Sequence, residues 1–125
     1  MILLVDAHVL LWALGAPDEL TDDARSALGS PVNDVVVSAA SIWEISIKRA
    51  LGKLRAPSAI VPAIELLGFS VIPIIGQDAE RAGALPMHHR DPFDRMLVAQ
   101  AGRLEATLVS RDHDFDAYEV PVLRA

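Results

Sequence analysis

The chain has 125 residues, of which 52% are hydrophobic, and a formal net charge of −6. This length suits one domain with a buried core, and the apolar content excludes a disordered tail. The acidic balance argues against a uniformly basic nucleic-acid coat, and the absence of cysteine excludes disulfides and thiolate metal sites. The first apolar run, Ile2–Val5, is too short for a signal peptide or membrane span, so we expect a cytoplasmic protein.

Two strands and four helices are predicted in the first half of the chain. An uninterrupted apolar run is typical of a buried strand, while a capping Asp, Thr or Ser and a later Gly mark the ends of a helix. In chain order the elements are a strand at Ile2–Val5, a helix from the capping Asp6 to Gly15, a helix from Thr21 to Gly29, a strand at Asp34–Val37, a helix from Ser38 to near Gly52, and a helix around Pro57–Leu67.

The second half is predicted to add up to three strands and two helices. In order these are a strand at Phe69–Ile74, a helix at about Gln77–Ala84, the loop Pro86–Arg90, a helix that Asp91 and Pro92 open and that runs to about Gly102, a strand at Thr107–Ser110, and a fifth strand at Val120–Leu123. Strands that alternate with helices predict a parallel sheet of four or five strands with helices on both faces. No linker or repeat interrupts the pattern, so we expect one α/β domain over residues 1–125.

Four acidic residues are predicted to meet at one edge of this sheet. Asp6 follows the first strand, and Asp112 follows the fourth. Glu44 lies in the second turn of the helix that leaves the second strand, and Asp94 lies in the first turn of a helix that leads into the fourth. Ligands of open parallel sheets bind at the carboxyl ends of the strands. We therefore expect the four carboxylates to form one pocket.

Each acid also has an ordinary structural explanation. Asp6 could serve only as a helix N-cap, and Asp94 could belong to a capping arrangement with Asp91. Glu44 could pair with a lysine one turn later, and Asp112 could form an Asx-turn. For any one of these acids considered alone, the ordinary structural explanation is preferred.

A divalent metal explains the four acids together better. Two carboxylates about 4 Å apart repel each other by roughly 4 kcal/mol at an effective dielectric near 20. Four of them would strain a small domain whose stability is about 5–15 kcal/mol. Mg²⁺ or Mn²⁺ removes this repulsion, prefers oxygen ligands and can assist phosphodiester hydrolysis. The pattern therefore predicts a divalent metal site.

Four sequence segments resemble the PIN-domain ribonucleases and, within them, the VapC toxins of type II toxin–antitoxin systems. The match covers nearly the whole chain in the correct order. Its segments are Val5–His8, Ser38–Lys48 followed by Gly52–Leu54, Leu85–Arg95 followed by Leu97, Ala99 and Gln100, and Ser110–Asp112 followed by Phe115. Leu85–Arg95 is the most specific segment, and Ser110 stands where the family often has Thr.

The resemblance implies a PIN-like three-layer fold and an endoribonuclease that depends on Mg²⁺ or Mn²⁺. It implies that the toxin is a homodimer, which could belong to a larger toxin–antitoxin assembly. It also implies that a VapB-like antitoxin inhibits the toxin by laying its C-terminal segment across the catalytic groove. Asp6 and Asp94 would be direct metal ligands, and Glu44 would help to complete the catalytic site. Asp112 would be the fourth catalytic acid, with the nearby Asp114 and Asp116 as alternatives.

Several other residues carry open interpretations. His88 and His89 belong to a solvated loop or contact RNA phosphate, and Lys48, Arg49 and Lys53 are candidates for the RNA backbone or a solvated helix face. Two stretches of the surface are expected to be locally basic, namely Lys48, Arg49, Lys53 and Arg55, and His88–Arg90 with Arg95. Trp43, Ile47 and Leu51 recur every four residues, which favours core packing, with a dimer or antitoxin interface as the alternative.

Two rival enzymes fit the sequence poorly. A receiver domain needs paired acids after the first strand and a late lysine, and a phosphatase with an Asp-x-Asp start needs an acid where His8 stands. A rival from another class is a catalytically silent PIN-like module that binds RNA or protein. All four acids are present, so nothing in the sequence favours the silent module.

Overall fold

The computed structural model describes all 125 residues, which form five strands and six α-helices. The strands are β1 (Ile2–Val5), β2 (Asp34–Ser38), β3 (Ser70–Ile72), β4 (Thr107–Ser110) and β5 (Val122–Arg124). The helices are α1 (Ala7–Gly15), α2 (Asp22–Gly29), α3 (Ala39–Ala50), α4 (Ile60–Leu66), α5 (Gly76–Ala84) and α6 (Pro92–Leu104). Two short 3₁₀ helices lie at Pro17–Glu19 and His113–Ala117.

The five strands form one sheet in the order β3-β2-β1-β4-β5, and every neighbouring pair is parallel. The parallel α/β sheet predicted from the sequence is therefore confirmed. β1 lies in the middle, where Leu4 is in register with Val36 of β2 and Leu108 of β4. Asp6 thus follows the central strand, beside the strand ends at Ser38 and Ser110.

Helices cover both faces of the sheet, because successive strand residues point to opposite sides. Leu3 and Val5 are fully buried in a cluster that includes residues of α1, α2, α3 and α4. Leu4 is fully buried in a second cluster with Leu97 and Val98 of α6, and α5 packs on α6. Truncating such a core leucine to alanine costs about 2–5 kcal/mol. The three layers match the predicted PIN-like architecture.

Several element ends differ from the predicted ones for local reasons. β3 ends at Ile72 and β5 begins at Val122, since Pro73 and Pro121 lack the N–H that a ladder needs. α6 passes the predicted stop at Gly102 and ends where Glu105 adopts a left-handed backbone, with φ of 53°.

Gly102 has a packing role in α6. A Cβ at this position would lie 2.6 Å from Arg81 Nη2, so the absent side chain makes room for the arginine. None of the six helices combines the length and apolar character needed to cross a membrane.

Candidate active site

A cavity of 490 Å³ opens at the carboxyl edge of the sheet, next to the ends of β1 and β4. Its eleven lining residues are Asp6, Ala7, His8, Trp12, Glu44, Lys48, His89, Asp91, Asp94, Arg111 and Asp112. The structure therefore brings all four acids singled out from the sequence to one cavity, which we call the acidic pocket. It adds a fifth acid, Asp91, from the N-terminus of α6.

Asp6 is fixed at the bottom of the acidic pocket by two hydrogen bonds. Its Oδ1 accepts the backbone N–H of Val9 at 2.8 Å, which makes it the N-cap of α1. Its Oδ2 accepts the hydroxyl of Ser110, and the same hydroxyl oxygen accepts the backbone N–H of Asp112 at 3.0 Å. Burial raises the pKa of the Asp6 carboxyl. The capping interpretation and the pocket position thus hold together, and Ser110 ties two of the acids to each other.

Glu44 is buried on the inner side of α3, and its carboxylate pairs with a lysine of the same helix. Its Oε2 accepts a hydrogen bond from Lys48 Nζ at 2.6 Å, one turn later. This hydrogen bond raises the pKa of Lys48. Both explanations offered for Glu44 therefore apply, because the residue forms the local ion pair and also lines the acidic pocket.

Asp94 has a strongly perturbed carboxyl group. Its pKa is raised to about 7, first by burial and then by the negative charge of Asp91, with Glu44 and Asp6 adding smaller contributions, while His89 acts in the opposite direction. Asp91 also lines the pocket, and its Oδ1 accepts the backbone N–H groups of Phe93 and Asp94 as the N-cap of α6. Asp94 is therefore not the capping residue of this helix.

His89 lies in the wall of the acidic pocket, although the sequence left it between a solvated loop and an RNA contact. Its Nε2 lies 2.8 Å from Asp94 Oδ2 and 3.3 Å from Asp112 Oδ2, without the alignment of a hydrogen bond to either. Its Nδ1 accepts the backbone N–H of Asp91 at 3.3 Å. A nitrogen that accepts a hydrogen bond carries no proton, so the imidazole proton is on Nε2, facing the carboxylates.

Arg95 holds the loop that carries His89. The side chain is buried, and its guanidinium donates to backbone carbonyls, including Ala82 at 2.8 Å, Leu85 at 2.9 Å and Pro86 at 3.0 Å. It also donates to the carbonyl of His89 at 3.3 Å. The suggestion that Arg95 contributes to a basic surface is therefore wrong, because all of these donors face the protein interior.

The three neighbouring acids after β4 occupy different places. Asp112 lines the acidic pocket, whereas Asp116 pairs with Arg124 at 2.8 Å, which lowers the pKa of its carboxyl. Asp114 is exposed, with one carboxylate oxygen 3.9 Å from His89 Nε2. Ligand atoms of His89, Asp112 and Asp114 lie within 4.8 Å of one another. Asp112 is thus the member of this group that belongs to the pocket wall, with Asp114 next to it.

Two side chains of α3 lie away from the core that their spacing predicts, and the exposed His88 agrees with the solvated-loop interpretation. Trp43 and Leu51 are 61% and 64% exposed, so the expectation of core packing is wrong for them; Ile47, between them, is half-buried. His88 lies outside the acidic pocket, in a separate cavity of 320 Å³ with Tyr118.

Trp12 and Arg111, in one wall of the acidic pocket, were not predicted as site residues. This wall consists of Trp12, with the guanidinium of Arg111 4.2 Å from the centre of its ring, and His8 with its ring centre 5.9 Å from that of Trp12. Trp12 follows the first acid on the same helix, and this proximity was the only signal that the sequence offered.

The donor set fits a hard divalent cation. The acidic pocket offers carboxylate oxygens, the ligands that Mg²⁺ and Mn²⁺ prefer. Besides burial, the negative charges of Asp91, Glu44 and Asp6 raise the pKa of Asp94, so these carboxylates repel one another. A bound cation would relieve this repulsion.

Comparison with known proteins agrees with the fold. The model of the family described as PIN domain matches residues 3–121. Similar solved structures include VapBC2 from Rickettsia felis bound to a promoter DNA fragment (TM-score 0.72, 14% identity, 99% of this chain and 98% of that chain). Another is DNA-bound VapBC from Salmonella typhimurium, with a TM-score of 0.70 and 15% identity over 99% of this chain and 98% of that chain. A third is FitAcB from Neisseria gonorrhoeae, with a TM-score of 0.62 and 21% identity over 98% of this chain and 96% of that chain.

At these identities the structural likeness shows a shared fold. No curated protein matches the chain. The family match extends from β1 to the residue before β5 and includes every acid of the pocket. The chain therefore belongs to the PIN domain family.

Proposed function

We propose that this chain is the toxin of a type II toxin–antitoxin system and acts as a metal-dependent endoribonuclease of the VapC kind. The observation that carries the proposal is the convergence of four carboxylates from separate segments on one pocket, where the pKa of Asp94 rises to about 7. Such a costly arrangement is typical of a functional site. The likeness to VapBC and FitAB complexes supports the same assignment.

In this proposal Asp6 and Asp94 hold Mg²⁺ or Mn²⁺, and Glu44 and Asp112 complete the catalytic site. The cation, when bound, supplies positive charge that favours attack of water on a phosphodiester. The protein keeps its ligands in place through contacts already described. Ser110 and the Val9 N–H fix both oxygens of Asp6, and Lys48 orients Glu44.

The rim of the acidic pocket suits an RNA chain that passes over the acids. Lys48 and Arg111 lie among the lining residues and place positive charge at the edge of the pocket. The net charge of −6 does not oppose this function, because several of the acids are concentrated in the pocket itself.

The proposed protein partner is a small VapB-like antitoxin in the cytoplasm, bound to a homodimer of this single PIN domain. Large apolar side chains are exposed outside the pocket, among them Trp43 at 61%, Leu51 at 64% and Leu66 at 90%. In this proposal the antitoxin or the second copy of the chain covers some of these side chains. Co-purification of the chain with the product of an adjacent short reading frame tests this part of the proposal.

A cleavage assay tests the nuclease function. Purified protein is incubated with several single-stranded and structured RNAs in Mg²⁺ or Mn²⁺, and again with EDTA. We expect cleavage by the wild type and by Asp23→Asn, an exposed acid of α2 far from the site, but none by Asp6→Asn. If wild type cleaves no better than Asp6→Asn, the chain is a silent binding module. Cleavage that persists in EDTA would contradict the metal mechanism alone.

A further inference from the structure

The wall formed by Trp12 and Arg111 has no role in holding a metal, so its contact needs another explanation. The guanidinium carbon of Arg111 lies 4.2 Å from the centre of the Trp12 ring, and both residues line the acidic pocket. Trp12 is half-buried against the core, whereas Arg111 is exposed. The wall therefore combines an aromatic ring with a guanidinium group that lies over it.

Arg111 is held in this position by the backbone. Its Nε donates to the carbonyl of Ala125 at 2.9 Å, and its Nη2 donates to the carbonyl of Glu19. No Asp or Glu side chain pairs with it, in contrast to Lys48, which pairs with Glu44 in the same pocket. The two bonds to the backbone thus fix the orientation of the guanidinium plane before any ligand binds.

A nucleobase is the ligand that such a surface favours. Unpaired RNA bases stack on aromatic rings and on the guanidinium planes of arginine. An RNA segment over the acidic pocket meets repulsion between its phosphates and the carboxylates, so a contact that does not depend on phosphate charge has particular value here. The fixed guanidinium provides that contact beside the acids.

We propose that the Trp12–Arg111 stack is the binding site for one unpaired base of the RNA, next to the phosphodiester that faces the acids. The proposal rests on the ribonuclease function and names how its substrate is held. Because every base has a flat face, the site favours unpaired over duplex RNA more than it selects one base. Loss of one stacked base weakens binding about 5- to 150-fold.

The two tryptophans of the chain, Trp12 and Trp43, allow a direct test. Trp43→Phe leaves Trp12 as the only reporter, and Trp12→Phe leaves Trp43 as the matched control. Each variant is mixed with a single-stranded RNA octamer, in EDTA and in Mg²⁺, and fluorescence is recorded by stopped flow before turnover. We expect the octamer to quench Trp12 and to leave Trp43 nearly unchanged. An octamer with abasic sites should bind at least about 5-fold more weakly and should not quench Trp12.

The anisotropy of end-labelled RNA, recorded in parallel, separates the outcomes. RNA that binds without any change at Trp12, or that quenches Trp43 instead, overturns the stacking site but leaves the nuclease function standing. RNA that binds neither variant nor wild type in either buffer contradicts both proposals. Arg111→Lys keeps the charge and removes the plane, so we expect it to raise KM for single-stranded RNA with little change in kcat. An unchanged KM would mean that charge alone acts at this position.

Discussion

Substitution of Asp94 by asparagine should stabilise the metal-free protein at alkaline pH. The pKa of Asp94 is raised to about 7 from 3.8, chiefly by burial and by the charge of Asp91. The folded state therefore holds this proton more tightly than the unfolded chain does. The contribution of Asp94 to stability is then most favourable below pH 4 and falls as the pH rises toward 7.

The size of the effect follows from the same shift. At about 1.4 kcal/mol per pKa unit, a rise of this extent corresponds to a cost of about 4 kcal/mol once the group is ionised, as an upper estimate. Asn has nearly the shape of Asp and carries no charge. We therefore expect the unfolding free energy of Asp94→Asn to be a few kcal/mol higher than that of wild type at pH 8. At pH 4 the two unfolding free energies should be equal.

Guanidinium unfolding in EDTA at both pH values measures this difference. Asp23→Asn is the matched control, because Asp23 is exposed on α2 and has no ion-pair partner. Its stability should stay within about 1 kcal/mol of wild type at both pH values, since Asp23 contributes only a charge in the first turn of α2. If Asp94→Asn is no more stable than wild type at pH 8, the carboxylates of the pocket do not repel one another as argued, and the reason for a metal there is lost.

Three further predictions address the surroundings of the pocket. Saturating Mn²⁺ at 100 times its dissociation constant should raise the unfolding free energy of wild type by about 2.7 kcal/mol, and thermal unfolding with and without Mn²⁺ should show no such gain for Asp6→Asn. His89→Gln, which retains a side-chain N–H, should keep more RNA cleavage than His89→Leu, as measured by initial rates; equal rates would rule out a role for the Nε2 proton. Asp78→Ala should lower the unfolding free energy by about 2 kcal/mol, because the buried Asp78 carboxylate accepts the Ile75 N–H at 3.1 Å and pairs with Arg103 at 2.6 Å. Its cleavage rate should equal that of wild type at temperatures below the unfolding transition.

The parts of the fold that could be predicted depend on local sequence. Asp6, Thr21 and Ser38 begin helices as expected, since each accepts a hydrogen bond from a backbone N–H in the first turn. Apolar runs located the strands, and the rule for parallel sheets then placed Asp6 and Asp112 at one edge. The convergence of the acids on one pocket was accessible from sequence for this reason.

The parts that could not be predicted depend on contacts between distant segments. His89 reaches the acids because Arg95 and Tyr118 fix its loop, and no spacing in the sequence reveals those bonds. Trp43 has the period of a core residue but lies on the outer side of α3, 61% exposed. Periodicity alone cannot distinguish a face that meets the core from one left for a partner.

The most direct test of the account compares Mn²⁺ binding with RNA cleavage in the same preparation. Free Mn²⁺ is measured by electron paramagnetic resonance while cleavage rates are recorded over the same range of concentration. We predict that binding and cleavage reach half of their maximum at the same free Mn²⁺ concentration. Asp94→Asn should move both half-maximal concentrations to higher free Mn²⁺ by the same factor. A binding curve that Asp94→Asn leaves unchanged, or cleavage that proceeds without bound Mn²⁺, would contradict the assignment of the acidic pocket as the metal-dependent ribonuclease site.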